Sequence, residues 1–440
     1  VVDRLLESVA ALDYPQDKLE IQILDDSTDD TTEQCYRKVE ELKSLGFDAV
    51  CIHRTDRTGF KAGALEAATK VAKGEFLLIL DADFVPEPDL LQKTIHFFTD
   101  ENVGLVQTRW GHINREYNLL TRIQGMYLDG HFAMEQTARN RSGRFFTFNG
   151  TAGIWRKCVI GDAGGWSHDT LTEDMDLSYR VQLKGWRFIY LNDVVTPAEL
   201  PVDMDGFKSQ QHRWTKGSIQ VCQKILLDIW RSNAPLKAKV EATTHLTCNY
   251  SYLLLALLCF LVYPICTQRI PENETVFMWF VNVALFFMTS VAVCIFYMSA
   301  QIVVRPKSWW KELPYLPLLL TLSVGMAVNN AKAVLEAIFG HQSAFVRTPK
   351  YGVDRKEDRR HVSQLKRNGY RAIKSVVIPV LEIACGTFFL NLIIIMIRQG
   401  HYLSPILMIP FLGFYYTGFC SLGRMISNLL PAKQTAKAKN

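Results

Sequence analysis

No Cys-x-x-Cys pair occurs in this chain of 440 residues. Its ten cysteines are scattered, several of them within apolar runs. That pattern argues against a disulfide framework or a zinc site and for reduced, buried thiols. A Walker A run is absent, and so is a G-x-G-x-x-G turn, which removes the usual phosphate-loop and dinucleotide fingerprints. Charge of one sign is scarce: the net value is only +5, carried largely by loops of the second half, so nucleic acid is not an expected partner. Residues 1–240 lack long apolar stretches, whereas from about residue 242 onward such stretches dominate. The first helix is expected at 2–12, with neither a signal-peptide pattern nor a strand read ahead of it. A sheet of the kind described next ordinarily opens with a strand, so the expectation is a chain truncated at its N-terminus.

The first half alternates strand and helix patterns, as an α/β doubly wound domain does. Residues 76–80 are all apolar and run straight into Asp81-Ala82-Asp83. Such a short run reads as a buried parallel strand. Ligand sites of open α/β sheets lie beyond the carboxyl ends of such strands. Asp81 and Asp83, two residues apart, point the same way in extended backbone. Two hard anionic ligands suit Mg²⁺ or Mn²⁺ that is also held by substrate phosphates. Residues 20–25 form another strand ending in acid, Asp25-Asp26, with a helix from about 31 to 45 and a strand at 49–53. Gly59-Phe60-Lys61 then opens a helix where backbone N–H groups and an ammonium can approach a phosphate, a pattern that a plain turn with a surface lysine also explains. Further strands are expected at 103–107 and 187–191, a long amphipathic stretch at 119–139, and strand formers at 145–148 before the Gly150 turn. Thr172-Glu173-Asp174 gathers acids at a helix start, a pattern that capping by Thr172 also explains. Residues 207–230 form a basic, aromatic interfacial helix carrying Gln210, Arg213 and Trp214.

The second half divides into apolar spans at about 243–267, 276–303, 375–397 and 402–422. The stretch 313–339 is interrupted by Asn329, Asn330, Lys332 and Glu336. Its flanks are both basic: residues 341–374 hold ten Lys or Arg against three acids. Both ends therefore belong on the cytoplasmic side, and 313–339 reads as an interfacial or re-entrant element. The basic tail 423–440 then falls inside as well, and the soluble half faces the cytoplasm.

In order along the chain, Asp25-Asp26, Asp81-Ala82-Asp83, Thr172-Glu173-Asp174 and Gln210-x-x-Arg213-Trp214 resemble the D, D-x-D, T/E-D, Q-x-x-R-W signature of processive family 2 glycosyltransferases of the cellulose synthase superfamily. Residues 345–350, with Thr348 and Lys350, resemble that family's gating loop. The runs at 107–110, 148–152 and 347–352 look closest to its mannan, glucomannan and β-1,4-glucan synthase branch.

The resemblance implies a cytoplasmic GT-A (Rossmann-like) α/β domain over 1–206, N-terminally truncated, followed by the interfacial helix 207–232. Beyond it come two transmembrane helices within 243–303, the element 313–339, a gating-like loop at 340–374, two more transmembrane helices within 375–422 and the tail. It implies an integral membrane enzyme of the bacterial inner membrane or the eukaryotic Golgi or plasma membrane. The activity would be inverting, processive polymerisation of a β-1,4-linked hexose polysaccharide, coupled to its translocation across the lipid bilayer. The donor would be GDP-mannose or UDP-glucose, the acceptor the growing polysaccharide and the cofactor Mn²⁺ or Mg²⁺. Carried over residue by residue, Asp174 is the general base, with Glu173 beside it. Asp25 or Asp26 meets the base of the nucleotide, and Lys61, Gln210 and Arg213 the diphosphate. Asp81 lies near ribose and phosphates, Asp83 and Asp81 hold the metal, and Thr348 and Lys350 close over the nucleotide. Trp214 and Thr151 contact the acceptor. Two rival readings are a non-processive lipid glycosyltransferase and a transporter subunit with a nucleotide-binding domain. The few ionisable residues within the spans, chiefly Glu382, speak against the transporter.

Overall fold

The computed structural model describes residues 1–267, 276–341, 348, 350–354, 376–398 and 405–429. Most of the gating-like stretch and all of 430–440 lie outside them. The helix Val2–Ala10 leads into β1 (Glu20–Asp25), which pairs in parallel with β2 (Asp48–His53), Asp25 opposite His53. Between them runs the helix Thr31–Ser44.

A second sheet has the order β3-β5-β4-β6, with β3 at Phe76–Ile79, β4 at Val103–His112, β5 at Gly153–Arg156 and β6 at Arg187–Ala198. Here one expectation is corrected. β3 is not a parallel strand: it pairs antiparallel with β5, Ile79 opposite Gly153. β4 is antiparallel to β5 and parallel to β6. An apolar run reports burial but not direction. β5 itself is four residues long and buried throughout, so no alternation marks it in the sequence. Residues 145–148 are not a strand either. Phe146 and Phe148 sink into the core as side chains, while their N–H groups go to Gln182 Oε1 (3.2 Å) and Ser178 Oγ (2.9 Å).

The core beneath the second sheet centres on Trp155. Its ring meets Phe148, Phe188 and Trp166 edge-on at 5.5, 5.4 and 6.0 Å. Each such buried ring contributes roughly 1.5–3 kcal/mol. The amphipathic stretch after Asn118 is helical in three pieces. Leu119–Asp129 is capped by the Asn118 side chain, a π-turn spans Gly130–Gln136, and Thr137–Arg141 follows.

Met204–Arg231 is one 28-residue helix, started by Asp203, whose carboxylate accepts the Gly206 N–H at 2.9 Å. This long helix joins the two halves of the chain. Lys208 forms a buried ion pair with Glu382 of the helix Val377–Arg398, at 2.5 Å. Lys216 pairs with Glu336 of the helix Ala327–Ile338, at 3.0 Å. Among the described residues, two helices are long and apolar enough to cross a membrane, Trp309–Ile338 and Val377–Arg398. A third is added if Leu236–Thr247 and Tyr250–Pro264, bent by 54° at their junction, form one span. Helices also run over Val276–Val304 and Pro405–Leu429. The nine cysteines whose side chains are described are free thiols; Cys35, Cys222 and Cys259 are buried, while Cys158, Cys248 and Cys420 are exposed.

Candidate active site

Six separate stretches reach one cleft of about 740 Å³ that runs from the helix Val2–Ala10 between β1 and β3 to the turn after β3. Asp81 and Asp83 enter from the turn after β3. Its shape is set from below: the Asp81 N–H donates to Thr151 Oγ1 at 2.8 Å. Thr151 is fully buried and its hydroxyl is engaged there. It supports the carboxylate turn from beneath.

Lys61 reaches across from the first turn of the helix Phe60–Val71 and bonds Asp81 Oδ1 (2.5 Å) and the Gly150 carbonyl (2.8 Å). The turn before it is strained: Gly59 and Phe60 have φ of 75° and 46°. Gly150, at φ 80°, leaves the room these groups need, since a Cβ there would stand 3.1 Å from Asp174 Oδ2 and 3.4 Å from Lys61 Nζ.

Glu173 and Asp174 begin the helix Glu173–Leu183. Thr172 stands at its N-cap position, but its hydroxyl makes no cap bond and is buried without a partner. The helix start is held instead by the long helix, through Leu171 N–H to Gln220 Oε1 at 2.9 Å. Gln210, Arg213 and Trp214, spaced i, i+3 and i+4, share one face of that helix and line the same cleft. The Trp214 ring lies 6.5 Å from that of Trp110.

Asp25 and Asp26 also line the cleft, with their carboxylates committed to neighbours. Asp25 accepts from Ser27 N–H (2.9 Å) and Thr32 Oγ1 (2.7 Å) and meets His53 Nδ1 at 2.7 Å. Asp26 takes a two-pronged contact from Arg54, at 2.9 and 2.6 Å. Arg54 in turn donates to the carbonyls of Thr58 and Phe60, fastening the turn that precedes Lys61. As a lone Arg after a strand, Arg54 carries no sequence signal of that role.

The described part of the gating-like stretch comes back to the same place. Lys350 Nζ lies 2.6 Å from Asp83 Oδ2. Thr348 lines the cleft, its hydroxyl buried without a partner. Residues 342–347 and 349 lie outside the described residues.

Electrostatics divide the carboxylates by task. Burial, and then the charge of Glu173, raise the Asp174 pKa to about 7. Burial raises Glu173 as well. Burial alone would depress Lys61, but Asp81 and Glu173 outweigh it and hold the ammonium above its ordinary value. Burial pulls Arg213 down against the opposing pull of Glu173, Asp81, Asp174 and Asp83, all of which it faces. Asp25 is also pushed up by burial, but its hydrogen bonds prevail and bring it to about 2.

Asp81 and Asp83 fit a divalent cation by their oxygen donors, and an ammonium already stands at each. No cluster of three or more potential metal-ligating side chains exists among the described residues. Two carboxylates completed by phosphate and water match what Mg²⁺ or Mn²⁺ requires. The arrangement thus puts two carboxylates able to hold a cation, two cationic side chains able to meet phosphate, a carboxylate of raised pKa and an aromatic face around one space.

Family models match along most of the chain: "Glycosyltransferase like family 2" over residues 1–217 and "Cellulose synthase" over residues 153–400. The chain is 41% identical over 248 residues to glucomannan 4-beta-mannosyltransferase 1 of Oryza sativa subsp. japonica, covering 55% of this chain and 47% of that protein. It is 44% identical over 230 residues to glucomannan 4-beta-mannosyltransferase 2 of Arabidopsis thaliana, covering 51% and 43%. The chain therefore spans about half the length of the curated relatives it matches. Among solved structures it resembles the mannosyltransferase PcManGT of Pyrobaculum calidifontis, in complex with GDP-Man and Mn²⁺. The TM-score is 0.50 at 19% identity, over 78% of this chain and 84% of that one. At that identity the likeness speaks to the GT-A fold alone.

Proposed function

The chain belongs to the cellulose synthase family, and on that premise we propose that it is a membrane-embedded, inverting, processive glycosyltransferase that builds a β-1,4-linked mannan or glucomannan from GDP-mannose. The observation that carries this reading is that Asp83 and Asp174 open onto the same cleft, together with Lys61, Arg213 and Trp214. The relatives' names favour mannosyl over glucosyl transfer.

In this reading Asp81 and Asp83 hold Mn²⁺ or Mg²⁺. The cation, when bound, offsets charge on the departing diphosphate. Lys61 and Arg213 hold that diphosphate, the planar guanidinium matching two phosphate oxygens, and Gln210 orients it from the same helix face. Asp26, with Arg54 behind it, and Asp25 border the pocket for the nucleobase. Trp214 offers its ring to the terminal sugar of the acceptor. Asp174 takes the proton from the acceptor 4-hydroxyl as that oxygen attacks the anomeric carbon from the face opposite the diphosphate. A base with a pKa near the working pH serves such a step best, and contributes about 10²–10⁴-fold. Lys350 and Thr348 close over the nucleotide.

Exposed apolar side chains on the helix Tyr250–Thr267, Leu254, Leu257, Phe260 and Leu261 among them, support a lipid-facing surface next to the site. The catalytic half then lies on the cytoplasmic side, 313–339 lies at or re-enters the interface, and the product leaves through the membrane half. The test is incubation of the protein in membranes with radiolabelled GDP-mannose or UDP-glucose, followed by digestion with linkage-specific glycanases. The expected product is a mannanase-sensitive polymer made from GDP-mannose. A single-sugar lipid would overturn the reading.

A further inference from the structure

Glu199, the residue after β6, has no assigned role, is only 2% exposed, and is a point of contact between the cleft and the returning chain. Its N–H donates to the Asp83 carbonyl at 3.2 Å, and its own carbonyl accepts from Lys350 Nζ. Its carboxylate collects successive backbone N–H groups: Tyr351 at 2.8 Å on one oxygen, Gly352 at 3.0 Å and Val353 at 3.3 Å on the other. Gly352 has φ +68°, and this left-handed turn lets consecutive amides curl around one anion. Arg4 completes the shell at 3.3 Å and ties Asp354 in at 2.5 Å. A buried carboxylate satisfied by backbone N–H groups from 150 residues away is a costly arrangement to leave half-made.

We propose that Glu199 is a positioning residue for donor binding: its carboxylate fixes the segment 350–354 so that the ammonium of Lys350 is held at the Asp81–Asp83 turn. The anchorage extends into the membrane half. The Tyr351 ring packs with Tyr117, Val202 and Val353, its hydroxyl meets Asp203 at 3.4 Å, and Arg424 of the helix Pro405–Leu429 pairs with Asp203. Glu199 is therefore the fixed end of a tether whose other end is a membrane-half helix. The proposal rests on reading Asp83 and Lys350 as donor-cleft residues.

The test uses the full chain in detergent, unaltered and as Glu199→Gln, Lys350→Ala and the double variant. Gln keeps the shape but turns N–H groups toward N–H groups. Two quantities are read: amide hydrogen exchange of the peptide covering 350–354, with β4 as internal reference, and the affinity for GDP with Mn²⁺. In Glu199→Gln, exchange at 351–353 should quicken about tenfold or more while β4 is unchanged. GDP–Mn²⁺ binding should weaken about as much as in Lys350→Ala, and the double variant should bind no worse than either single one. Unchanged exchange at 351–353, or losses that multiply in the double variant, would overturn the proposal. Gly352→Ala attacks the same contact from the segment's side and must show the same exchange signature, even if Glu199→Gln fails to fold. If the unaltered chain does not bind GDP–Mn²⁺, it is the donor reading that falls, and the exchange arm still decides whether Glu199 holds the segment.

Discussion

Gly217 and Thr172 touch so closely that a Cβ on Gly217 would sit 2.5 Å from Thr172 Cγ2 and 2.7 Å from its hydroxyl. This contact seats the start of the Glu173–Leu183 helix on the long helix that carries Arg213 and Trp214. It thereby fixes the proposed base relative to the proposed phosphate and acceptor groups. Gly217→Ala is expected to force the two helices apart. Overpacking of this kind costs about 1–3 kcal/mol, and a shifted base costs rate more than binding. Polymer formation should fall about tenfold or more while GDP–Mn²⁺ affinity stays near that of the unaltered chain, read by radiolabel incorporation and by titration.

The pH dependence follows from Asp174. As the proposed general base it must be ionised, and burial with the nearby Glu173 charge raises its pKa to about 7. Elongation measured as kcat/KM should therefore fall as pH drops through about 7. Replacing Glu173 by Gln removes the like charge, so that limb should move to lower pH. A pH profile of both proteins checks the direction.

Asp25 shows the opposite linkage. Its folded-state pKa of about 2 lies below the ordinary 3.8, so it stabilises the fold fully above the higher value. That contribution, about 2 kcal/mol by the size of the shift, is lost as pH falls from about 4 through 2. Asp25→Asn should lower thermal stability at pH 7, with a penalty that shrinks at pH 3, as thermal unfolding at the two pH values would report.

Much of this site was legible because its residues sit in short local patterns. Asp81 and Asp83 end an apolar run, Glu173 and Asp174 open a helix, and Gln210, Arg213 and Trp214 share one turn-to-turn face. What escaped sequence reasoning depends on contacts between distant segments. The direction of β3 is decided by β5, four buried residues without alternation. The bond from the Asp81 N–H to the fully buried Thr151 hydroxyl joins segments 70 residues apart, and no local pattern announces it. Arg54 and Glu199 are single charged residues, each with a partner on a distant segment, Asp26 for the first and the Tyr351 N–H for the second. The membrane half was legible as apolar stretches, but which of them cross depends on packing and bends such as the 54° break after Thr247.

The proposed acceptor role of Trp214 can be tested apart from donor binding. Trp214→Ala should leave GDP–Mn²⁺ binding and slow donor hydrolysis in place, because Lys61, Arg213 and the Asp81–Asp83 turn are untouched. Elongation of an added oligosaccharide should fall about tenfold, the scale of one lost aromatic contact. Unchanged elongation would remove Trp214 from the acceptor site.

The division of labour between Asp83 and Asp174 is tested most directly by Asp174→Asn, measuring donor binding and polymer formation on the same preparation. GDP–Mn²⁺ affinity within about threefold of the unaltered chain, with radiolabel incorporation down by about 10²-fold or more, is the predicted result. Elongation at close to the unaltered rate would contradict it.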